Sequence, residues 1–161
     1  MDTRALRNCF GNFATGVTVV TWAAGEQQRS GITVNSFTSV SLDPPLVLVS
    51  IDCKARACEA LKNKPFVINI LASDQEAIAW QFAGRPQIDL EMEWEDTELG
   101  PKIKGALATM ECEPWQAYEA GDHVLYLGKV KAFTVNGGNA LLFYKGKFYD
   151  SKEMEKKLIE G

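Results

Sequence analysis

The order of apolar and polar positions at the start of the chain predicts a helix followed by a strand. Within residues 3–14, apolar side chains recur at the spacing of one helical face, namely Leu6, Phe10 and Phe13. Asp2 or Thr3 can cap this helix at its start. Residues 16–22 are then rich in β-branched side chains, which favour strands. We therefore expect a helix–strand unit at the beginning of the fold.

Further strand-like runs along the chain, one of them rich in serine and threonine, predict strands that are joined mostly by turns. These runs are Gly31–Leu42, Leu46–Ile51, Phe66–Leu71, Ala106–Glu113, His123–Val135 and Ala140–Tyr144. The Asn-Gly-Gly-Asn segment at 136–139 predicts a hairpin turn between the last two. Residues 84–104 show no regular period, which indicates a long loop.

Helical patterns are fewer and short. We expect one helix at 54–62, a second from a cap at Ser73 or Asp74 to about Phe82, and a charged helix at 151–159. About six or seven strands with few helices between them argue against a doubly wound parallel sheet. The pattern favours a mainly β, antiparallel barrel with peripheral α-helices.

Composition agrees with one globular unit. Of 161 residues, 46% are hydrophobic and 24% are charged, and both proportions are ordinary for a globular protein. This length suits one domain, so we expect a single domain over residues 1–161.

Charge and cysteine usage exclude several classes of partner. The net charge is −4 and no basic stripe is present, so we expect no nucleic-acid partner. No window approaches the roughly 18 apolar residues of a membrane span. The first residues lack the apolar run of a signal peptide, and the four cysteines are dispersed, which predicts reduced thiols and a cytoplasmic location.

Several kinds of chemistry lack the residues that they require. His123 is the single histidine, so a histidine-based metal cluster is excluded within one chain and no metal site is predicted. The chain has no nucleophile elbow, no phosphate-binding P-loop and no dinucleotide fingerprint after a strand. Any use of a nicotinamide dinucleotide must therefore bypass the usual dinucleotide-binding domain.

Hydroxyl and amide groups fill one run that otherwise has the pattern of a strand. The polar members are Thr33, Asn35, Ser36, Thr38, Ser39 and Ser41. Donors and acceptors at this density can bind the polar edge of a flat heterocycle such as the isoalloxazine ring of a flavin. The alternative from composition alone is an exposed polar strand face on which threonines favour β-structure.

Three segments closely resemble the short-chain flavin reductase family, which includes the reductase components of two-component flavin monooxygenases. They are 16–21 (GVTVVT), 33–46 (TVNSFTSVSLDPPL) and 121–123 (GDH). Residues 82–85 (FAGR) and 142–146 (LFYKG) also fit this family. The resemblance covers about residues 6–149, and its central motif is long and specific.

The resemblance implies an antiparallel, Greek-key-like split β-barrel that binds FMN and forms a homodimer with flavin sites near the interface. It implies FMN or FAD as cofactor or substrate, and NADH or NADPH as the donor of a hydride from nicotinamide C4 to flavin N5. An oxygenase or another electron-acceptor protein would receive the electrons. By matching positions, the residues that lie along the isoalloxazine would be Thr33, Val34, Asn35 and Ser36. The residues that contact the ribityl and phosphate groups would be Ser50 and Asp52.

The segment after Asp52 departs from the family pattern. The family commonly carries a serine and a threonine there that bind the flavin phosphate, whereas this chain has Ala55 and Ala57. We still expect an anion at this place, because Lys54, Arg56 and the N–H groups at a helix start supply positive potential. The alternative is a pair of solvated basic residues.

His123 and several aromatic or basic residues complete the candidates. A lone histidine that opens a strand is most often structural, but the resemblance places it near the nicotinamide as a positioning residue. Hydride transfer depends on stacking and alignment more than on an acid or base. Arg85 could reach a phosphate from the 82–85 segment, with a solvent-facing role as the alternative, and Phe82 of the same segment is a further flavin-binding candidate. Tyr149, with Tyr144 and Phe148, could cover the flavin. Core packing is the alternative for the aromatic residues, and the tryptophans are expected in the core or an interface.

Three other functions remain open from sequence. The first is an electron-transfer flavoprotein of the same fold that holds FMN tightly. The second is an FMN oxidase of the pyridoxamine-phosphate type, against which the 33–46 match argues. The third is a barrel that has lost its flavin site, an interpretation kept open by Ala55 and Ala57.

Overall fold

The computed structural model describes residues 1–153 and is built mainly of antiparallel strands. The helices are α1 (Thr3–Phe10), α2 (Arg56–Ala60) and α3 (Glu76–Gln81), and a 3-10 turn at Ser73–Gln75 leads into α3. The strands are β1 (Thr15–Gly16), β2 (Thr18–Gly25), β3 (Gln28–Val34), β4 (Thr38–Leu42), β5 (Pro45–Asp52), β6 (Phe66–Ile70), β7 (Trp94–Thr97), β8 (Gly100–Ile103), β9 (Ala108–Ala120), β10 (His123–Val135), β11 (Leu141–Tyr144) and β12 (Lys147–Asp150). The expectation of a mainly β, antiparallel fold is confirmed.

Seven strands form one sheet in the order β3-β2-β6-β9-β10-β5-β4. Its two edge strands, β3 and β4, follow each other in the chain and are separated only by residues 35–37. The four Cα–Cα steps from Val34 to Thr38 can span about 15 Å at most. In a flat seven-stranded sheet, the two edge strands would lie about 29 Å apart. The sheet must therefore roll up until its edges meet, which makes it a barrel.

Ser36 joins the two edges where the ladder of backbone hydrogen bonds stops. Its hydroxyl donates to the carbonyl oxygen of Ser50 at 3.0 Å and accepts from the backbone N–H of Ser50 at 2.9 Å. Ser50 lies on β5, the neighbour of β4, so this one hydroxyl links the connecting segment to the far side of the sheet. We call residues 34–38 together with Ser50 the seam.

Strand β2 contributes to two cores, because its residues 18–22 are buried on both faces of the strand. On one face Val20 and Trp22 contribute to the barrel core, whose other members include Val49, Ile51, Phe66 and Ile68. On the other face Val19 joins a second core formed with Leu71, Ile78, Ala79, Ile103 and Leu141. The second core attaches α3, β8 and β11 to the outside of the barrel.

Two small sheets lie beside the barrel. Strands β1, β11 and β12 form a three-stranded sheet, and β7 and β8 form a hairpin. The Arg29 guanidinium donates two hydrogen bonds to the Asp96 carboxylate of the hairpin, at 2.9 and 2.5 Å. Both side chains reach solvent, so this pair contributes little to stability.

Several predicted elements agree with the structure. Strand β10 has the predicted bounds, and β2, β6 and β11 lie within a residue or a few of their predicted ends. The Asp2 carboxylate accepts hydrogen bonds from the N–H groups of Arg4 and Ala5, so it is the helix cap. Helix α1 stops at Phe10, however, and buries none of its residues.

The strand predicted at 31–42 is wrong, because the chain leaves one edge of the sheet at Val34 and enters the other at Thr38. The hairpin predicted at 136–139 is also wrong: β10 pairs with β9 and β5, whereas β11 pairs with β1 and β12. The loop predicted at 84–104 contains the β7–β8 hairpin. Strand β12 was not predicted, since its four residues show too short a pattern.

The first three predicted helices are present at the predicted places but are shorter than predicted. Helix α2 covers five of the nine residues expected at 54–62. The N-cap residue of α3 is Gln75 and that of the preceding 3-10 turn is Ala72, so neither Ser73 nor Asp74 is the cap. The Gln75 side chain accepts the N–H of Ala72 at 2.9 Å. The helix predicted at 151–159 lies largely outside the described residues.

A buried amide fastens the β7–β8 hairpin to the barrel. Asn69 of β6 is fully buried. Its Nδ2 donates to the carbonyl of Val19 and to the Thr21 hydroxyl, both at 2.9 Å, and its Oδ1 accepts the N–H of Ile103 at 2.8 Å. Thr21 in turn donates to the carbonyl of Pro101. All hydrogen-bonding atoms of the amide are therefore engaged.

We predict that Asn69→Ala lowers the free energy of unfolding by about 2–4 kcal/mol, because it leaves a cavity and buried polar groups without partners. Urea denaturation followed by tryptophan fluorescence measures the change. Asn139→Ala, in an exposed connection, is the matched control and should change stability by less than about 0.5 kcal/mol. Equal effects of the two substitutions would contradict a structural role of the Asn69 network.

Candidate functional site

The seam opens into a cavity on the outer surface of the barrel. This first cavity has a volume of about 370 Å³. The residues that line it are Val17, Thr33, Val34, Asn35, Trp80, Ala83, Phe143, Gly146 and Phe148. Three elements meet here, because β3, the end of α3 and the β11–β12 sheet each supply part of the wall. The wall is mostly apolar and aromatic, as is typical of pockets that bind a flat organic ring.

A second cavity continues the first toward α2. Its volume is about 530 Å³, and its walls include Ile32, Thr33, Arg56, Ala57, Phe82, Ala83 and Gly84. Thr33 and Ala83 line both cavities, so the two adjoin and are described together. We call the pair the cleft. It begins at the aromatic pair Trp80 and Phe148, whose ring centroids lie 5.0 Å apart, and ends at the Arg56 cation.

Two of the predicted flavin-binding hydroxyls are engaged within the protein. The Thr33 hydroxyl donates to the carbonyl of Ala79 at 2.6 Å, and the Ser36 hydroxyl is shared with Ser50 as described above. Asn35 differs, since its exposed side chain makes no hydrogen bond within residues 1–153. The polar run therefore has two tasks: the hydroxyls hold the backbone, and the Asn35 amide is free to meet a ligand.

The loop from Asp52 to α2 presents two cations at the far end of the cleft. The Asp52 carboxylate accepts the N–H of Lys54 at 2.9 Å and shapes the turn. Lys54 and Arg56 are both exposed, and only Arg56 lines the cleft. Helix α2 has five residues, so its dipole adds little, and the cationic side chains supply most of the positive potential.

The two alanines that replace the family's hydroxyl residues have packing roles. Ala55 is the N-terminal cap residue of α2 and makes no side-chain hydrogen bond there. Ala57 is 2% exposed and belongs to the barrel core.

Tyr126 holds α2 from the barrel side. Its hydroxyl donates to the carbonyl of Cys58. Burial raises the pKa of Tyr126 to about 12, so this hydroxyl remains a donor at physiological pH. Helix α2 is thus held by packing and by Tyr126.

His123 lies at the end of β10 that faces α2. It is paired with Asp52 across the β5–β10 ladder, and its Nδ1 lies 2.8 Å from Oδ1 of Asp122. The hydrogen bond with the His123 ring, reinforced by its charge, lowers the pKa of the Asp122 carboxyl. The carbonyl of Asp122 accepts the N–H of Cys53 at 2.9 Å. His123 therefore adjoins the Asp52 turn, but it does not line the cleft.

The aromatic candidates divide between the two faces of β12. Phe148 lines the cleft, whereas Tyr149, which is paired with Leu142, does not. Phe82 lines the second cavity. Arg85 lies outside the cleft, with its guanidinium 4.7 Å from the centre of the Trp80 ring. Trp80 and Phe143 are wall residues that the sequence analysis missed, and the alternation of β11 and β12 would have been the signal for Phe143.

A larger cavity elsewhere has the wrong charge for a nucleotide. It measures about 630 Å³ and lies beneath residues 87–93. Its charged lining residues are Asp74, Asp89, Glu91, Glu93 and Lys104. Four carboxylates against one ammonium repel an anion, whereas the linings of both cavities of the cleft contain no acidic residue. The cleft is therefore the better candidate for an anionic cofactor.

Among the described residues, no group of three or more histidine, cysteine, aspartate or glutamate side chains is arranged to hold a metal ion. Within the same part of the chain, no helix is both long and apolar enough to cross a membrane.

Comparison with known proteins agrees with this geometry. Residues 10–152 match the model of the flavin reductase like domain. The chain is 41% identical to an NADH-dependent flavin reductase of Rhodococcus, with 89% of this chain and 83% of that protein covered. It is 42% identical to the reductase component of a flavin-dependent trigonelline monooxygenase of Acinetobacter baylyi over 91% of this chain, but spans only 48% of that longer protein.

A solved structure shows the same fold. The NADH:FAD oxidoreductase SgcE6 of Streptomyces globisporus, in complex with NAD and FAD fragments, superposes with a TM-score of 0.84 at 40% identity, and the match covers 92% of both chains. The family match over residues 10–152, the split-barrel fold and the cleft at its seam agree with one another. This chain belongs to the flavin reductase like family.

Proposed function

We propose that this chain binds the isoalloxazine ring of FMN or FAD in the cleft and reduces it with NADH. The observation that carries this proposal is the cleft itself: aromatic walls and an unengaged Asn35 amide at one end, and the Arg56 cation at the other. These groups match the flat ring, the polar edge and the phosphate of a flavin nucleotide. The names of the related proteins support flavin as the acceptor and NADH as the donor.

The lining of the cleft suits hydride transfer. It contains no aspartate, glutamate or histidine that could act as a general acid or base. Bound flavin supplies the hydride acceptor, and the protein's task is to align the donor with it and to exclude water. Val34, Trp80 and Phe148 form the apolar wall, and the exposed Asn35 amide can bond to the polar edge of the ring.

We predict that Asn35→Ala weakens FMN binding by about 1–3 kcal/mol, because polar atoms of the ring lose their partner. Quenching of FMN fluorescence by the purified protein measures the affinity. Asn139→Ala, remote from the cleft, should bind FMN as the parent protein does. An unchanged affinity in Asn35→Ala would place the ring elsewhere, and an affinity of the parent protein no better than millimolar would refute flavin binding altogether.

The phosphate of the flavin is proposed to lie beside Arg56 and Lys54. We predict that Arg56→Glu weakens FMN binding at least about tenfold, because repulsion replaces a charge-assisted contact, and changes riboflavin binding by less than about twofold. Lys62→Glu, an exposed charge reversal just after α2, is the control. Equal losses for FMN and riboflavin would show that Arg56 does not contact the phosphate.

His123 is proposed to position the nicotinamide, supported by its place beside Asp52 and by the resemblance of the Gly-Asp-His motif. We predict that His123→Ala lowers kcat/KM for NADH by about 10- to 100-fold, mainly through KM, and leaves FMN affinity nearly unchanged. Stopped-flow reduction and steady-state kinetics separate these effects. Abolished turnover with FMN still bound would indicate acid–base chemistry at the imidazole, and unchanged constants would leave His123 structural.

A homodimer is proposed because the apolar side chains at and just after α1 are exposed within residues 1–153. Leu6 and Phe10 of α1 are 37% and 67% exposed, and Phe13 just after the helix is 78% exposed. Trp115 and Tyr118 on the outer half of β9 are also largely exposed. We predict that sedimentation gives about twice the 17.8 kDa chain mass. Phe10→Ser should shift the equilibrium toward monomer, while a parent protein that binds flavin as a clean monomer would refute the dimer.

The proposed recipient of the electrons is an oxygenase, and the flavin is proposed to be released to it. One relative is named as the reductase component of a monooxygenase. Asn35, Ala83 and Gly84 of the cleft are exposed, so a flavin there would retain access to solvent. NADH oxidation that increases with added free FMN distinguishes this function from an electron carrier that holds its FMN tightly, which would show no such increase.

A cytoplasmic location is proposed as well. The four cysteines are unpaired, which fits a reducing compartment.

A further inference from the structure

One wall of the cleft is the turn that follows α3, and this turn is fastened to β3. Residues 82–84 line the second cavity, and we call them the wall turn. The carbonyl of Phe82 accepts the N–H of Thr33 at 3.1 Å, and the Thr33 hydroxyl donates to the carbonyl of Ala79 at 2.6 Å. The position of the wall turn therefore depends on how closely it packs against β3.

Gly31 is the residue of β3 against which the Phe82 ring packs. A Cβ placed on Gly31 would lie 3.0 and 3.2 Å from two carbon atoms of that ring and 3.1 Å from Cγ1 of Val19. Carbon atoms in ordinary contact lie about 3.5–4.0 Å apart. Val19 is fully buried in the second core, whereas Phe82 is half-buried at the cleft, so the ring is the group that a larger residue would displace.

The backbone itself does not require a glycine at position 31. Gly31 pairs with Thr21 in the regular β2–β3 ladder, and its φ is not positive. A glycine inside a strand weakens the strand and often marks the close approach of another group. The approaching group here is the Phe82 ring, so the cleft wall, and not the strand, explains this glycine.

The Phe82 ring is also confined by a second element. It meets the Trp94 ring of β7 edge-on, with centroids 5.8 Å apart and an angle of 74° between the ring planes. Both rings pack against the second core. Since Phe82 is also bonded to Thr33 through its carbonyl, displacement of the ring would move the backbone of the wall turn as well.

We propose that Gly31 is a positioning residue for the flavin. It admits the Phe82 ring onto β3 and thereby sets the distance between the wall turn and the side of the cleft formed by Thr33. The inference rests on the proposed function, in which the isoalloxazine ring lies in this cleft. Gly31 lines the second cavity but has no side chain to offer a ligand, so it acts on the flavin through Phe82.

The test is a double-mutant cycle of Gly31→Ala and Phe82→Leu, in which quenching of flavin fluorescence gives the affinities for FMN and riboflavin. We expect Gly31→Ala to weaken both ligands by about 3- to 10-fold, because the displaced wall meets the ring system that both share. In the Phe82→Leu background the same substitution should change either affinity by less than about twofold, since the smaller side chain leaves room for the new methyl group.

Gly16→Ala is the matched control. Gly16 also lies in a strand, its φ is not positive, and a Cβ placed on it would meet no atom within 4 Å. It lines neither cavity of the cleft, so this variant should bind both flavins as the parent protein does. Urea denaturation of each variant ensures that the affinities are compared between folded proteins.

An unchanged affinity in Gly31→Ala, an equal loss in the Phe82→Leu background, an equal loss in Gly16→Ala, or a loss confined to FMN would overturn the proposal. If Gly31→Ala does not fold, the double variant decides. It has to fold and bind both flavins within about twofold of Phe82→Leu, and weaker binding or an unfolded double variant overturns the proposal. Failure of the proposed function is distinct from these outcomes, because the parent protein would then bind neither flavin.

Discussion

The closure of the barrel through three residues is the constraint on which the rest of the structure depends. Strands β3 and β4 lie at opposite edges of a seven-stranded sheet, yet only residues 35–37 connect them. The sheet has to roll up, and the backbone has to leave the ladder at the place where the edges meet. The Ser36 hydroxyl replaces the missing ladder bonds by pairing with both backbone groups of Ser50. The candidate site forms beside this break.

The same break explains why a polar run is compatible with a folded core. Thr33 and Ser36 use their hydroxyls to satisfy backbone groups that have no strand partner, as buried polar groups must. Asn35, held between them, has no such task and faces the cleft. Charge follows a similar division: carboxylates crowd the 87–98 region and the cavity beneath it, whereas the lining of the cleft contains the Arg56 cation and no acidic residue. Anionic nucleotides are thereby favoured at one side of a protein whose net charge is −4.

Local patterns predicted the elements that depend on local interactions. The β-branched run in β2, a cap at Asp2 or Thr3 and the strand after Pro65 could be predicted from side-chain type and spacing. The errors arose where partners are distant in the chain. The Asn-Gly-Gly-Asn segment has every local feature of a hairpin, but the second core draws β11 away from β10 to pair with β1 and β12. The apolar spacing at 3–14 predicted a helix, but α1 ends at Phe10, and no element within residues 1–153 buries its apolar side chains.

The sequence by itself determined the class of fold and the chemistry of the candidate site. Strand-forming runs, the absence of acid–base and metal motifs, and the long 33–46 motif led to a flavin-binding barrel with Thr33, Asn35 and Arg56 among its site residues. Only the tertiary structure decided which side chains share a wall. Trp80, Phe143 and Phe148 come together from α3, β11 and β12, and Tyr149 is excluded by the face of the strand on which it lies. A cavity is a property of surfaces that meet across long chain separations, so spacing along the sequence cannot specify it.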